Sequence, residues 1–284
     1  MRPFARGRKL ARGYEVIEHL ARSNDYDVYD VWSHERACRC AVKLLRPDRR
    51  DQDRAIRGLR HEGELLQRLT HPHLVRGYET LDEPLVAVVM QMLGGETVSH
   101  LVHTRPEGLN AVEVGYLGVH LCSAIGYLHG EGILHLDLKT SNVIAEAGSA
   151  IVIDLSLARA PGRMRAGIGT NCYMAPEQAR GGHVDAAADV WGIAGILYAC
   201  ATGLRLFAER ADRRSEYPSL EGPVKPVGRD SRLPAEMAAT IDAALSADPL
   251  ARPSVDELGA VCERSAEMTA DERRFAHRAN GRRR

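Results

Sequence analysis

The sequence predicts an α+β fold in two lobes, a small β-rich lobe with one helix and a larger helical lobe. Three observations point there. Residues 14–46 are rich in β-branched and aromatic side chains, in runs such as DVYDVWS and CRCAVKLL separated by polar turns. Residues 53–69 switch to helical spacing, with Ile56, Leu59, Leu66 and Leu69 set among charges. Beyond Gly94, Gly95 and Glu96 the pattern is helical almost throughout. A chain of 284 residues has room for both lobes.

In chain order, residues 1–13 form a basic extension holding Arg2, Arg6, Arg8, Lys9 and Arg12 and no acid in the first twelve positions. Such a stretch is expected to be solvated and frayed. The β-rich lobe is expected over residues 14–92. Within it, HPHLV at 71–75 reads as a turn and LVAVVMQM at 85–92 as buried strand. The helical lobe is expected over 93–266. Its segments EVGYLGVHLCSAIGYLH (113–129) and DVWGIAGILYAC (189–200) are apolar on nearly every side, which marks buried helices. A loop with Pro218, Pro223, Pro226 and Pro234 leads to two final amphipathic helices. Residues 267–284 form a second basic tail, rich in arginine.

Composition excludes several classes. Hydrophobic residues make up 44% and charged residues 27%, the balance of an ordinary globular protein. The formal net charge is zero, so nothing favours nucleic acid as a partner. No run approaches the roughly 18 apolar residues of a membrane helix. The first residues lack the apolar core of a signal peptide. The expected compartment is the cytoplasm, with the six cysteines as free thiols in no metal-ligand spacing. One bias is informative. Lysine occurs only at 9, 43, 139 and 225, among 38 basic residues. Arg is a wide planar fork and Lys a compact point charge, so a site that needs the point charge resists the exchange.

Two of those lysines lie in chemically suggestive surroundings. HLDLKTSN at 135–142 offers a carboxylate (Asp137), an ammonium (Lys139) and an amide (Asn142). IVIDLS at 151–156 sets Asp154 directly after an apolar strand. Phosphoryl transfer needs these types. A carboxylate orients the attacking hydroxyl, a cation neutralises the moving phosphate, and an amide oxygen with a second carboxylate holds Mg²⁺ against the triphosphate.

The order and spacing of these motifs resemble the bacterial eukaryotic-like protein serine/threonine kinases, from about Tyr14 to about Ala266. The resemblance implies a bilobal protein-kinase-like fold, ATP and Mg²⁺ as cofactors, and protein substrates bearing Ser or Thr. It implies roles residue by residue. AVK at 41–43 looks like the third-strand motif, with Lys43 reaching the α- and β-phosphates. Glu62 sits where the family's helix Glu pairs with that Lys, and Glu64 is the neighbouring alternative. Asp137 resembles the catalytic base, Lys139 would stabilise the γ-phosphate, and Asn142 and Asp154 would ligate Mg²⁺. GTNCYMAPE at 169–177 looks like the end of the activation segment, where Thr170 bonds to the base and its Lys. Glu177 would ion-pair with Arg252, and Asp189 would brace the catalytic loop. For the nucleotide, Met90 is the gatekeeper position, with Gln91 to Leu93, including Met92, as the hinge. Val28, Ala41 and Ile144 would sandwich the ring, and Leu20, Ala21 and Ser23 would complete the cradle. A pseudokinase that binds nucleotide without transfer is the alternative, and a small-molecule kinase of related fold a more distant one.

Three departures qualify the resemblance. The family's G-x-G-x-x-G-x-V loop reads Ala21-Arg22-Ser23-Asn24-Asp25-Tyr26-Asp27-Val28, with no glycine. Gly lets backbone approach phosphate without a Cβ. Tyr26 is bulky, and Asp25 and Asp27 are expected to bring negative charge near the triphosphate, which predicts slower turnover or weaker ATP affinity. The metal-loop triplet reads Asp154-Leu155-Ser156. The catalytic triplet reads His135-Leu136-Asp137, without the Arg that binds an activation-segment phosphate in many relatives. Between Ser156 and Thr170 there is no Ser, Thr or Tyr, so activity is expected not to require phosphorylation there. The chain stops soon after the matched region, so a separate sensor or regulatory protein is the expected source of input. Substrate choice is expected to depend on the surface around Asn171, Cys172 and the Pro-rich loop.

Overall fold

A computed structural model describes residues 2–10, 13–208, 216–229 and 231–266. The chain divides into two compact units. The first takes the residues up to Glu96 and also 144–158, and the second takes 97–143 and everything after 158. The basic tail at 267–284 lies outside the described residues.

The first unit is built on a five-stranded antiparallel sheet in the order β1-β2-β3-β5-β4. Its strands are β1 (Tyr14–Arg22), β2 (Tyr26–Ser33), β3 (Cys38–Leu45), β4 (Gly77–Leu81) and β5 (Ala87–Gln91). Side chains alternate between faces of a strand. One face therefore gathers Tyr14, Val16, Tyr29, Val31, Cys40, Val42 and Leu44 into a single core. Phe4 and Leu10 pack against it. The expected frayed extension is accordingly incorrect for residues 2–10. Gly7 and Leu10 donate backbone hydrogen bonds to Val16 and Tyr14, and the Phe4 ring lies 5.7 Å from that of Tyr29. Two apolar side chains in an otherwise basic stretch are enough to seat it on an uncovered sheet face.

Helix α1 (Asp53–Arg68) lies along β4 and β5 and buries Ala55, Leu59, Glu62, Leu65 and Leu66. Gly63 faces Thr80 and Val88 so closely that a Cβ would overlap Thr80. The return of 144–158 to this unit is not visible as a boundary at 92/93. It is fixed by long-range pairing: β7 (Val143–Glu146) and β8 (Ser149–Val152) fold back, and Val152 exchanges backbone hydrogen bonds with His73 and Val75.

The two-residue strand β6 (Glu96–Thr97) precedes the second unit's helices, α2 (Val98–Thr104), α3 (Ala111–Gly130), α4 (Pro176–Arg180), α5 (Ala186–Thr202), α6 (Ala235–Ala244) and α7 (Val255–Ser265). α5 is the buried axis that its apolar sequence predicts, with every residue from Ala188 to Thr202 buried. Asp185 caps its first turn, and Gly203 at φ 70° ends it. α3 starts at a capping box in which Asn110 and Glu113 bond each other's backbone. It packs on α7 through Gly115 and Gly118, which leave room for Cys262 and Ala266. Contrary to the expectation of no span-length apolar segment, α3 has 20 residues and a mean hydropathy of 1.3 over its most apolar window. Half of that window is buried inside the protein, as a core helix requires. Two short strands, β9 (Gly162–Met164) and β10 (Gly182–Val184), pair antiparallel and tie down the segment between 159 and 185.

Candidate active site

The chemistry-bearing residues fall into two clusters, one in each unit. In the first, β3 turns Lys43 to the face opposite Cys40, Val42 and Leu44. α1 brings Glu62 to it, with Lys43 Nζ donating to Glu62 Oε2 at 2.7 Å and Oε1 at 3.1 Å. Glu64 is exposed, which decides between the two candidates. Lys43 Nζ also donates to Asp154 Oδ1 at 2.9 Å. Asp154 sits at φ 68°, a left-handed conformation that a non-glycine residue holds only under outside constraint. The constraint comes from both sides. Ser156 N–H donates to Asp154 Oδ1, and Leu155 N–H donates to Glu62 Oε1.

Electrostatics follow from burial and pairing. Burial disfavours the Lys43 charge, but the Glu62 and Asp154 carboxylates outweigh it and hold the ammonium above its usual value. Burial pushes Glu62 up to about 7, against the pull of Lys43. Burial alone would raise Asp154, yet Lys43 and the Ser156 hydrogen bonds hold it well below the usual carboxylate range. Asp154 is thus a dependable anion. Its carboxylate is of the hard oxygen type that Mg²⁺ takes, one or two at a time, beside substrate phosphates. Among the described residues there is no group of three or more His, Cys, Asp or Glu side chains arranged as a metal cage.

The glycine-free turn between β1 and β2 is closed and anchored. Ser23 N–H donates to the Tyr26 carbonyl at 2.8 Å, and Tyr26 N–H donates to Ser23 Oγ at 3.1 Å. Arg46 donates to the Ser23 and Asn24 carbonyls. Tyr26 places its ring 4.9 Å from Lys43 Nζ and donates its hydroxyl to the Ala55 carbonyl of α1. The expectation that Asp27 brings negative charge near the triphosphate is incorrect: it does not share the Lys43 face of the sheet. It is fully buried on the other face of β2, where Arg22 donates to both its oxygens and His19 bonds it at 2.9 Å. The alternation of the strand makes this separation unavoidable.

The remaining candidates for nucleotide contact are also in this unit. Ala41 and Met90 are buried cross-strand partners on β3 and β5. Val28 pairs with Lys43 across β2 and β3 and is half-buried, as are Met92 and Ile144. Leu20 is 44% exposed, and Ala21 and Ser23 are exposed.

The second cluster is the loop 135–142 with the segment around Thr170. Asp189, buried in α5, accepts from the backbone N–H groups of His135 and Leu136 at 2.8 Å each and bonds His129 at 2.9 Å. That brace holds Leu136 at φ 65°. It presents Asp137 to three donors. Thr170 Oγ1 donates to Asp137 Oδ1 at 2.7 Å, Lys139 Nζ to Oδ2 at 2.6 Å, and Asn142 Nδ2 to Oδ2 at 3.2 Å. Lys139 Nζ also donates to Thr170 Oγ1 at 2.9 Å. Asn142 donates through Nδ2 to the Asp137 carbonyl as well, which leaves Oδ1 as the atom a hard cation would take. Glu177 accepts two hydrogen bonds from Arg252 at 2.6 and 2.8 Å.

Sequence reasoning missed Gln178. Its Nε2 donates to the carbonyls of Leu136 and Ile168, and its Oε1 accepts from Ala175 N–H. It therefore ties the catalytic-type loop to the segment before Thr170. It also missed the hydrogen bond between Thr140 and Tyr173 hydroxyls at 2.9 Å. Neither residue type signals such a contact, since an amide or hydroxyl beside a turn is commonly solvated.

A lysine–glutamate–aspartate cluster in a β-rich unit, with a braced aspartate–lysine–threonine cluster in a helical one, is the pattern of the protein kinase family. The protein kinase domain model matches residues 14–261, and the chain belongs to that family, in its bacterial eukaryotic-like serine/threonine branch. It is 34% identical to the serine/threonine-protein kinase PknB of Mycobacterium tuberculosis, over 92% of this chain and 42% of that protein. It is 32% identical to the probable serine/threonine-protein kinase SCO3848 of Streptomyces coelicolor, over 88% of this chain and 39% of that protein. The chain thus spans about two fifths of the length of these curated relatives. In fold it is similar to the crystal structure of the Mycobacterium tuberculosis PknI kinase domain, with a TM-score of 0.72 and 24% identity over 93% of this chain and all of that one.

Proposed function

We propose that this chain is an active protein serine/threonine kinase that transfers the γ-phosphate of ATP to Ser or Thr hydroxyls of protein substrates. The observation that carries the reading is the set of bonds on Asp137: one oxygen accepts from Thr170 and the other from Lys139. In this reading Asp137 orients the substrate hydroxyl and takes its proton, and Lys139 offsets charge on the transferred group. Lys43, held by Glu62, binds the α- and β-phosphates. Asn142 Oδ1 and the Asp154 carboxylate are the groups that would hold Mg²⁺, as the family pattern implies. Mg²⁺ supplies charge neutralisation at the phosphate oxygens. Most of the rate then comes from positioning and preorganised charge.

The test is transfer of label from γ-labelled ATP with Mg²⁺ to the protein and to a generic basic protein, alongside Asp137→Ala. Label with wild type that disappears in the variant supports the kinase. A folded protein that ATP stabilises thermally but that transfers no label is a pseudokinase. The clamped turn and the Tyr26 ring over Lys43 favour that second reading, because both oppose close approach of phosphate. The complete set of charged groups favours the first.

Activity independent of phosphorylation in the 157–169 segment is part of the proposal. It is supported by the absence of hydroxyl side chains there and by the Gln178 and β9–β10 contacts that hold the segment. ATP as substrate and six free thiols support a cytoplasmic setting for the proposed activity.

A further inference from the structure

A cavity of about 600 Å³ opens in the second unit beside Thr140 and Tyr173. The hydrogen bond between those two hydroxyls joins the loop that carries Asp137 to the segment that follows Thr170. α2 contributes His100 and His103 to the wall, α5 contributes Ala199, and Arg205 follows just after the end of α5. His100, His103 and Arg205 are exposed, and the lining includes no carboxylate among the described residues. Of the acids nearby in the chain, Glu96 and Glu107 are not part of the lining, and Glu113 is engaged by Arg105. Glu209 and Asp212, which follow Arg205, lie outside the described residues.

We infer that this cavity receives an acidic side chain of the protein substrate, within about three residues of the hydroxyl that is phosphorylated. The inference rests on the kinase reading of Asp137. Thr140 is three residues from Asp137, and a chain spans at most about 3.6 Å per residue, so the two lie within roughly 11 Å. A substrate hydroxyl at Asp137 therefore leaves its neighbours two or three residues away at the mouth of the cavity. The chemistry there is cationic and hydrogen-bond donating. Arg205 stays charged at any working pH and offers a planar fork that matches a carboxylate. The imidazoles of His100 and His103 add N–H donors. A lysine or arginine on the substrate would meet Arg205 with no lining carboxylate among the described residues to answer it.

The experiment uses two synthetic peptides with one serine each, identical except for Glu or Lys at the positions two and three residues from that serine. kcat/KM for phosphorylation and, without ATP, affinity by fluorescence anisotropy are measured for wild type, Arg205→Gln and Arg205→Glu. Wild type is expected to favour the Glu peptide roughly two- to fivefold in both readouts, the scale of exposed ion pairs. Arg205→Gln should reduce the ratio and Arg205→Glu reverse it. Equal use of both peptides by wild type, or a Glu preference kept by Arg205→Glu, overturns the inference. A Glu preference in binding with no transfer to either peptide retains the pocket and overturns the kinase reading instead.

Discussion

Thr170 donates its hydroxyl proton to Asp137 at 2.7 Å, and the ammonium of Lys139 lies within hydrogen-bond distance of both. The triangle fixes the Asp137 carboxylate from two directions. Losing Thr170 frees that carboxylate to rotate and to pair more tightly with Lys139. Thr170→Ala is expected to lower kcat by about a hundredfold or more, the scale of a misplaced acid–base group, with Thr170→Ser restoring most of it. Label-transfer kinetics decide this. A Thr170→Ala enzyme with wild-type kcat would mean that the hydrogen bond does no positioning.

Tyr26 holds the third glycine position of the family's phosphate loop and covers one side of Lys43. Replacing it with glycine removes the ring and lets backbone approach the phosphates. Tyr26→Gly is expected to lower the KM for ATP by about fivefold, the size of a partly desolvated cation–π contact. Glycine in a strand costs about 1 kcal/mol, so the melting temperature should drop slightly. A KM that rises instead would make Tyr26 a contributor to nucleotide binding.

Burial raises Glu62 to about 7, and this sets a pH limb. Above that pH the carboxylate is ionised and its pair with Lys43 is complete. As pH falls through about 7, Glu62 gains a proton and Lys43 is left with Asp154 as its charged partner among the described residues. kcat/KM for ATP should therefore fall on the acid side with a midpoint near 7, because this ratio reports the free enzyme. Glu62→Gln should be slower throughout and lack that limb. An identical acid limb in the variant would assign the titration to another group.

Arg252 has a fully buried side chain, and its partner Glu177 is 14% exposed. Arg252 also donates to the carbonyls of Ser246 and Ala187 and lies over Trp191. Removing one partner of such a pair strands the other. Glu177→Ala should lose about 3–5 kcal/mol of stability in urea unfolding. A loss below about 1 kcal/mol would place the pair with exposed ion pairs.

Gln178 and the β9–β10 pairing hold the segment before Thr170. Phosphatase treatment is expected to leave the initial rate unchanged, whereas Gln178→Ala should reduce it by releasing the Ile168 and Leu136 carbonyls. A large loss on dephosphorylation, mapped to Ser156, Thr170 or Tyr173 at the borders of this segment, would sink the proposed independence.

Much of this arrangement was legible from residue order. Alternation in DVYDVWS and CRCAVKLL gave β2 and β3, and helical spacing gave α1. The runs around Asp137 and Asp154 marked both chemical clusters. These are local signals, because strand and helix periods repeat within one segment. What local pattern does not carry is partner choice. Glu62 and Glu64 are two residues apart on one helix, and only the packing of α1 on β4 and β5 turns Glu62 inward.

Sequence by itself therefore determined the element types and the family, and pointed to the residues that carry the proposed phosphoryl chemistry. The tertiary structure alone decided that Asp27 pairs with Arg22 away from Lys43, that Phe4 seats the N-terminal segment, and that Gln178 binds the Leu136 and Ile168 carbonyls. Each of these depends on contacts between residues distant in the chain or on the face a strand presents. A side chain's partner is set by where the backbone returns in space, and that return is a property of the packed whole.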